Sequence, residues 1–128
     1  MKTSKIYKTM KKIFFLLALA FGLNLSAQSL SEQFDAKAYA ADLSDKIITK
    51  LEINDGAIRE QIQKEAYIYA ESLKKHILLA EKNGDAQGKG LKEVIKMVKE
   101  DALNASGFMK TMKRLLDEEQ LSALEDLL

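Results

Sequence analysis

Apolar residues recur at Leu91, Ile95, Val98, Ala102, Ala105, Met109, Met112 and Leu116, in gaps that alternate four and three without a slip. That spacing puts every one of them on a single side of a helix and on neither face of a strand. Nothing interrupts it, because the 128-residue chain contains no proline. Without proline, no backbone N–H is lost from a helix interior and no ring clashes with the preceding turn. One long helix over residues 91–116 is therefore predicted, with Gly107 as its weak point at a cost of about 1 kcal/mol relative to alanine.

The remaining periods are also helical. Phe34, Ala38, Ala41, Ile48 and Leu51 share one side of a helix predicted over 31–51, with Ser31 as its cap. Asn54 stands before a second helix over 55–82, whose apolar stripe runs through Ile58, Ile62, Ala66, Tyr69, Leu73, His76 or Ile77, and Ala80. Asp117 caps a short last helix over 118–127, and Gln120 stands where its side chain reaches back to complete a capping box. No alternating strand period occurs. The fold predicted is all-α: a small bundle or cradle of about four helices. The glycine-rich stretch Asn83–Gly90 reverses the chain, so the second and third helices form a long antiparallel hairpin.

The amino-terminal stretch has a different logic. Lys2, Lys5, Lys8, Lys11 and Lys12 precede an apolar run from Ile13 to Leu25, then Ser26, Ala27 and Gln28. The run is shorter than the roughly 20 residues that span a bilayer. A cationic, then apolar, then small-residue order is that of a secretory signal peptide. Residues 1–27 are accordingly read as a leader cut between Ala27 and Gln28, and 28–128 as a single exported domain with no stable membrane anchor. The leader holds five lysines and no acid, so the domain after it carries 15 basic and 19 acidic residues, net −4. Nucleic-acid binding calls for a clustered basic face, which this balance does not favour. The absence of cysteine excludes disulfides, thiolate metal sites and a nucleophilic thiol, and suits an oxidising compartment.

In the Asn83–Gly90 stretch, Asn83, Asp85 and Gln87 alternate as calcium ligands would, but Val94 stands where the closing carboxylate belongs and Glu93 is one residue early. The same stretch is one residue short of a phosphate loop, with no Ser or Thr after Lys89. It reads as a turn. His76 is the one histidine and reads as a packed or boundary residue. Glu118 and Glu119 point about 100° apart and do not converge on a substrate. Asn104-Ala105-Ser106 matches a glycosylation sequon on a predicted helix and carries no inference. No cofactor, metal or catalytic activity is expected. Met97, Met109 and Met112, with Phe108, remain as a soft apolar face able to adapt to varied partners, against the alternative that they are core.

The box Leu116-Asp117-Glu118-Glu119-Gln120, followed by Leu121-Ser122-Ala123-Leu124, resembles the Leu-Thr-x-x-Gln boxes of the Spy/CpxP-like periplasmic proteins. Asp117 takes the place of their threonine and Gln120 matches directly. Asn54, after Leu51 and Ile53, keeps only the capping role of an earlier box, with Ala57 in the place of glutamine. The resemblance implies a small helical cradle in the periplasm, often dimeric. It would act without ATP as a chaperone or envelope-stress partner, with unfolded or envelope proteins as clients. From the residues themselves a second reading stands beside it: a structural or adaptor bundle whose apolar stripes are satisfied by homodimerisation.

Overall fold

The computed structural model describes residues 28–128, which Gln28 opens in an exposed position; residues 1–27, on which the expected leader and Ala27 fall, lie outside the described residues. The described chain is all-α. Its helices are α1 (Leu30–Gln33), α2 (Ala36–Lys50), α3 (Gly56–Lys82), α4 (Leu91–Ser106), α5 (Phe108–Leu115) and α6 (Glu118–Leu127).

The first helix divides in two where one was expected. Ser29, not Ser31, caps α1 in a reciprocal box with Glu32, and Ser31 is buried inside the turn. Phe34 then leaves helical geometry to enter the core, and the Asp35 carboxylate accepts the N–H of Ala38 at 3.1 Å to start α2. A short acid side chain competes with the helix ladder for nearby N–H groups, so an Asp inside an apolar period can restart a helix.

Leu51 ends α2. Glu52 takes a left-handed φ of 52°, and the N–H of Ile53 returns to the Ile48 carbonyl at 3.0 Å. This is a Schellman closure built without glycine, and it brings Ile53 back against the helix it terminates. The cap of α3 is Asp55, whose carboxylate accepts from Ala57 and Ile58 at 2.9 and 3.1 Å. Asn54, the expected cap, is exposed and one residue too early. Asp is an equally good acceptor, and the Schellman turn fixes which residue reaches the first orphan N–H.

α3 is the central element. It buries Ile62, Ala66, Tyr69, Ala70, Leu73, Ile77 and Ala80. The stripe therefore takes Ile77, while His76 is half-buried with Nδ1 2.8 Å from the Ser72 carbonyl. α2 packs along one flank of α3 and α4 along the other. A second Schellman closure at Gly84 (φ 84°) and the tucked-in Ala86 turn the chain into α4. The Ser72 hydroxyl donates to the Ala102 carbonyl at 3.0 Å and sets the register of the hairpin.

The long helix predicted over 91–116 is broken. Gly107 is left-handed, at φ 71°, and closes α4 before α5 begins at Phe108. The break re-phases the apolar stripe. Val94, Val98 and Ala102 are buried before it, and Phe108, Met112 and Leu116 after it, whereas Ala105 turns to solvent and Met109 is half-buried. α5 lies against α3 and α4, and α6 returns to α2. Lys99 donates to the Leu128 carbonyl, which ties the end of α6 to α4. A run of aromatic contacts crosses the core, Phe34 to Tyr39 at 5.2 Å, Tyr39 to Tyr69 at 6.3 Å and Tyr69 to Phe108 at 5.4 Å between ring centroids.

Candidate protein-binding surface

The four residues proposed from sequence as an apolar contact face do not form one. Phe108 and Met112 have no solvent exposure and lie in the core, and Met109 packs against it. Met97 alone of the four is open, at 43% exposure on α4. The cause is the Gly107 break, which turns the α5 stripe inward under α3. Of the box residues, Asp117 accepts the N–H of Gln120 at 2.8 Å and the Gln120 side chain accepts that of Asp117 at 3.0 Å. Leu116 is buried just before it. The box is a structural joint between α5 and α6.

The other tested groups are likewise placed by backbone needs. Glu118 and Glu119 occupy the first turn of α6, where the helix end favours negative charge. Asn83, Asp85 and Gln87 all face solvent. Among the described residues there is no cluster of three or more histidines, aspartates or glutamates able to hold a metal ion. No helix among them is long and apolar enough to cross a membrane.

What the structure exposes is the outer face of α3. Tyr67, Ile68, Leu78 and Leu79 stand 40–45% open on the side away from the core. Sequence reading missed them because a pattern search follows the buried stripe. The signal was present in the same helix: two apolar pairs, 67–68 and 78–79, sit three turns apart where the wheel calls for polar residues. Glu71 and Lys75 lie between the pairs. Tyr67 also lines a cleft of about 340 Å³ between α2 and α3, with Lys37, Ser44, Asp45 and Gln63 at its walls. The hydrogen bond and negative charge of Glu71, one turn on, raise the Tyr67 phenol above its usual pKa.

Met97 is the exposed large apolar residue of α4. Five residues back along α4 from Ala102, and five forward along α3 from Ser72, it lies level with Ile77 in the antiparallel hairpin. The chain matches no family model, no curated protein and no solved structure.

Proposed function

We propose that this protein is an exported, non-catalytic helical module that binds apolar segments of other proteins in the periplasm, in the manner of the Spy/CpxP-like proteins. The observation that carries the reading is the outer face of α3, where Tyr67, Ile68, Leu78 and Leu79 are all at least 40% exposed, as is Met97 on α4. These apolar side chains, interleaved with Glu71 and Lys75, suit weak and reversible contact with unfolded chains that expose both apolar and charged groups. Binding of this kind needs no nucleotide and no titratable centre. The cationic leader and the absence of cysteine support export.

The test is light scattering of a denatured client diluted into buffer with and without residues 28–128. Wild type is expected to lower the scattering. Ile68→Lys with Leu79→Lys is expected to abolish most of the effect at unchanged helical circular dichroism, because both residues are on the surface. Client aggregation unaffected by a tenfold excess of wild type would retire the reading and leave the adaptor bundle in its place.

A further inference from the structure

The residue that a cut after Ala27 would leave at the front of the chain is a glutamine, Gln28, and its position is exposed. A glutamine at a terminus has a reaction open to it that an interior one lacks. Its own α-nitrogen and the carboxamide carbon of its own side chain can close a five-membered ring. We infer that Gln28 of the exported chain is a modification site, converted to a terminal lactam, pyroglutamate, by attack of its amine on its side chain. The inference rests on the reading of residues 1–27 as a cut leader, and within that reading it fixes the chemical form of the new terminus.

The step is an acyl transfer inside one residue. The α-ammonium first gives up a proton, and an ordinary terminal amine with a pKa of about 8 does so in part at neutral pH. The amine nitrogen then bonds to Cδ of the carboxamide. The Cδ–Nε2 bond breaks, and Nε2 leaves as ammonia with the proton that the attacking nitrogen releases. Neither an oxidant nor a nucleotide is consumed, and the positive charge of the terminus is lost.

The fold holds the carboxyl side of Gln28 and leaves the reacting side open. The Gln28 carbonyl accepts from Nε2 of Gln33 at 3.3 Å. The next N–H, that of Ser29, donates to the Glu32 carboxylate at 3.1 Å, and the Ser29 hydroxyl accepts the N–H of Glu32 at 3.2 Å. Every one of these partners lies beyond the Gln28 Cα, whereas ring closure uses only the amine and the side chain, so the cap of α1 survives it. Gln28 also borders a cleft of about 540 Å³ between α1 and the turn that carries Gly84, Gln87 and Lys89, which leaves room for the side chain to fold back on its own nitrogen. Cyclisation favours the cap as well. A terminal ammonium one residue from Ser29 would compete for the Glu32 carboxylate as a charge-assisted donor, and the lactam N–H is neutral and single.

Mass spectrometry of the chain recovered from the envelope of its native host reads the site directly. The expected product begins at Gln28, is lighter by one ammonia and is closed to Edman degradation. A second measurement uses residues 28–128 released in vitro with a free Gln28 amine. A glutaminyl cyclase should convert this folded chain within about threefold of its rate on a free peptide of residues 28–33, as an exposed terminus allows. Gln28→Ala, with no side-chain carbonyl, should keep its full mass. A host chain that begins at Gln28 with its full mass, or that begins at Ala27 or Ser29, overturns the inference and leaves export standing. A host chain that retains Met1 overturns the leader reading and the inference together. Conversion of the folded chain roughly a hundredfold more slowly than the peptide also overturns it, because the fold then shields the terminus.

Discussion

The carboxylate of Glu81, in the last turn of α3, accepts the backbone N–H of Leu30 at 2.6 Å and that of Ser31 at 3.2 Å. The first turn of a helix has N–H groups with no intrahelical partner, and here a residue half the domain away supplies the acceptor. α1 is one turn long and is not stable by itself. Glu81 and the burial of Ser31 and Phe34 hold it against the end of the hairpin.

Glu81→Ala should therefore cost about 2 kcal/mol in urea unfolding, the range of a hydrogen bond to a charged acceptor. Amide exchange at Leu30 and Ser31 should speed up, while that of Leu73 and Ile77 follows only the global change. Glu81→Gln retains one acceptor oxygen and should lose about half as much. Unchanged exchange at Leu30 in Glu81→Ala would show that packing alone holds α1.

Met112 has no exposure and sits under α3, so a charge there is buried without a partner. Met112→Lys should cost upwards of 3 kcal/mol or abolish folding, whereas Met112→Leu, which conserves volume, should cost under about 1.5 kcal/mol. Met97→Lys, on the open face, should stay within about 0.5 kcal/mol of wild type. Chemical denaturation of the three variants side by side separates core from surface on α4 and α5.

These two methionines show how far the sequence could be read. The period that placed Met112 on an apolar stripe was real, and so was the helical class it implied. Whether the stripe faces a partner or the core depends on where α5 lies, and that is decided by one backbone angle at Gly107. With φ at 71°, glycine takes a conformation that costs an ordinary residue about 1 kcal/mol, and nothing lies within 4 Å of the site a Cβ would occupy. Local pattern identifies the weak point; the tertiary packing of Phe108 against Tyr69 turns it into a break. The caps follow the same division. Asp117 and Gln120 are adjacent to their own targets, so their box was legible. Asp55 displaced Asn54 through a left-handed Glu52 upstream, and Glu81 caps a helix fifty residues away in sequence, which no local pattern encodes. The exposed pairs on α3 were hidden for a different reason: an apolar residue on the polar side of a wheel reads as noise until burial is known.

Tyr69 gives a prediction that turns on pH. Its ring is buried between Tyr39 and Phe108, and its buried hydroxyl has no hydrogen-bond partner. Burial pushes the Tyr69 phenol far above its usual value of 10.0, and burial also raises that of half-buried Tyr39. For an acid whose folded pKa is raised, the neutral form is the one the fold holds. Below pH 10 the phenol is neutral in both states and stability does not depend on it. Above pH 10 the unfolded chain releases the proton and the folded chain keeps it. For Tyr69, folding is then penalised by about 1.4 kcal/mol for each further pH unit. Tyr69→Phe removes both the titration and a buried hydroxyl that pairs with nothing. It should be neutral to about 1 kcal/mol stabilising at pH 7, where losing an unpaired polar group costs nothing. Its advantage should widen steeply between pH 10 and 11.5 in urea midpoints. Tyr39→Phe should show a smaller widening, because Tyr39 is only half-buried. Equal alkaline loss in wild type and Tyr69→Phe would mean that the Tyr69 hydroxyl reaches water in the folded protein.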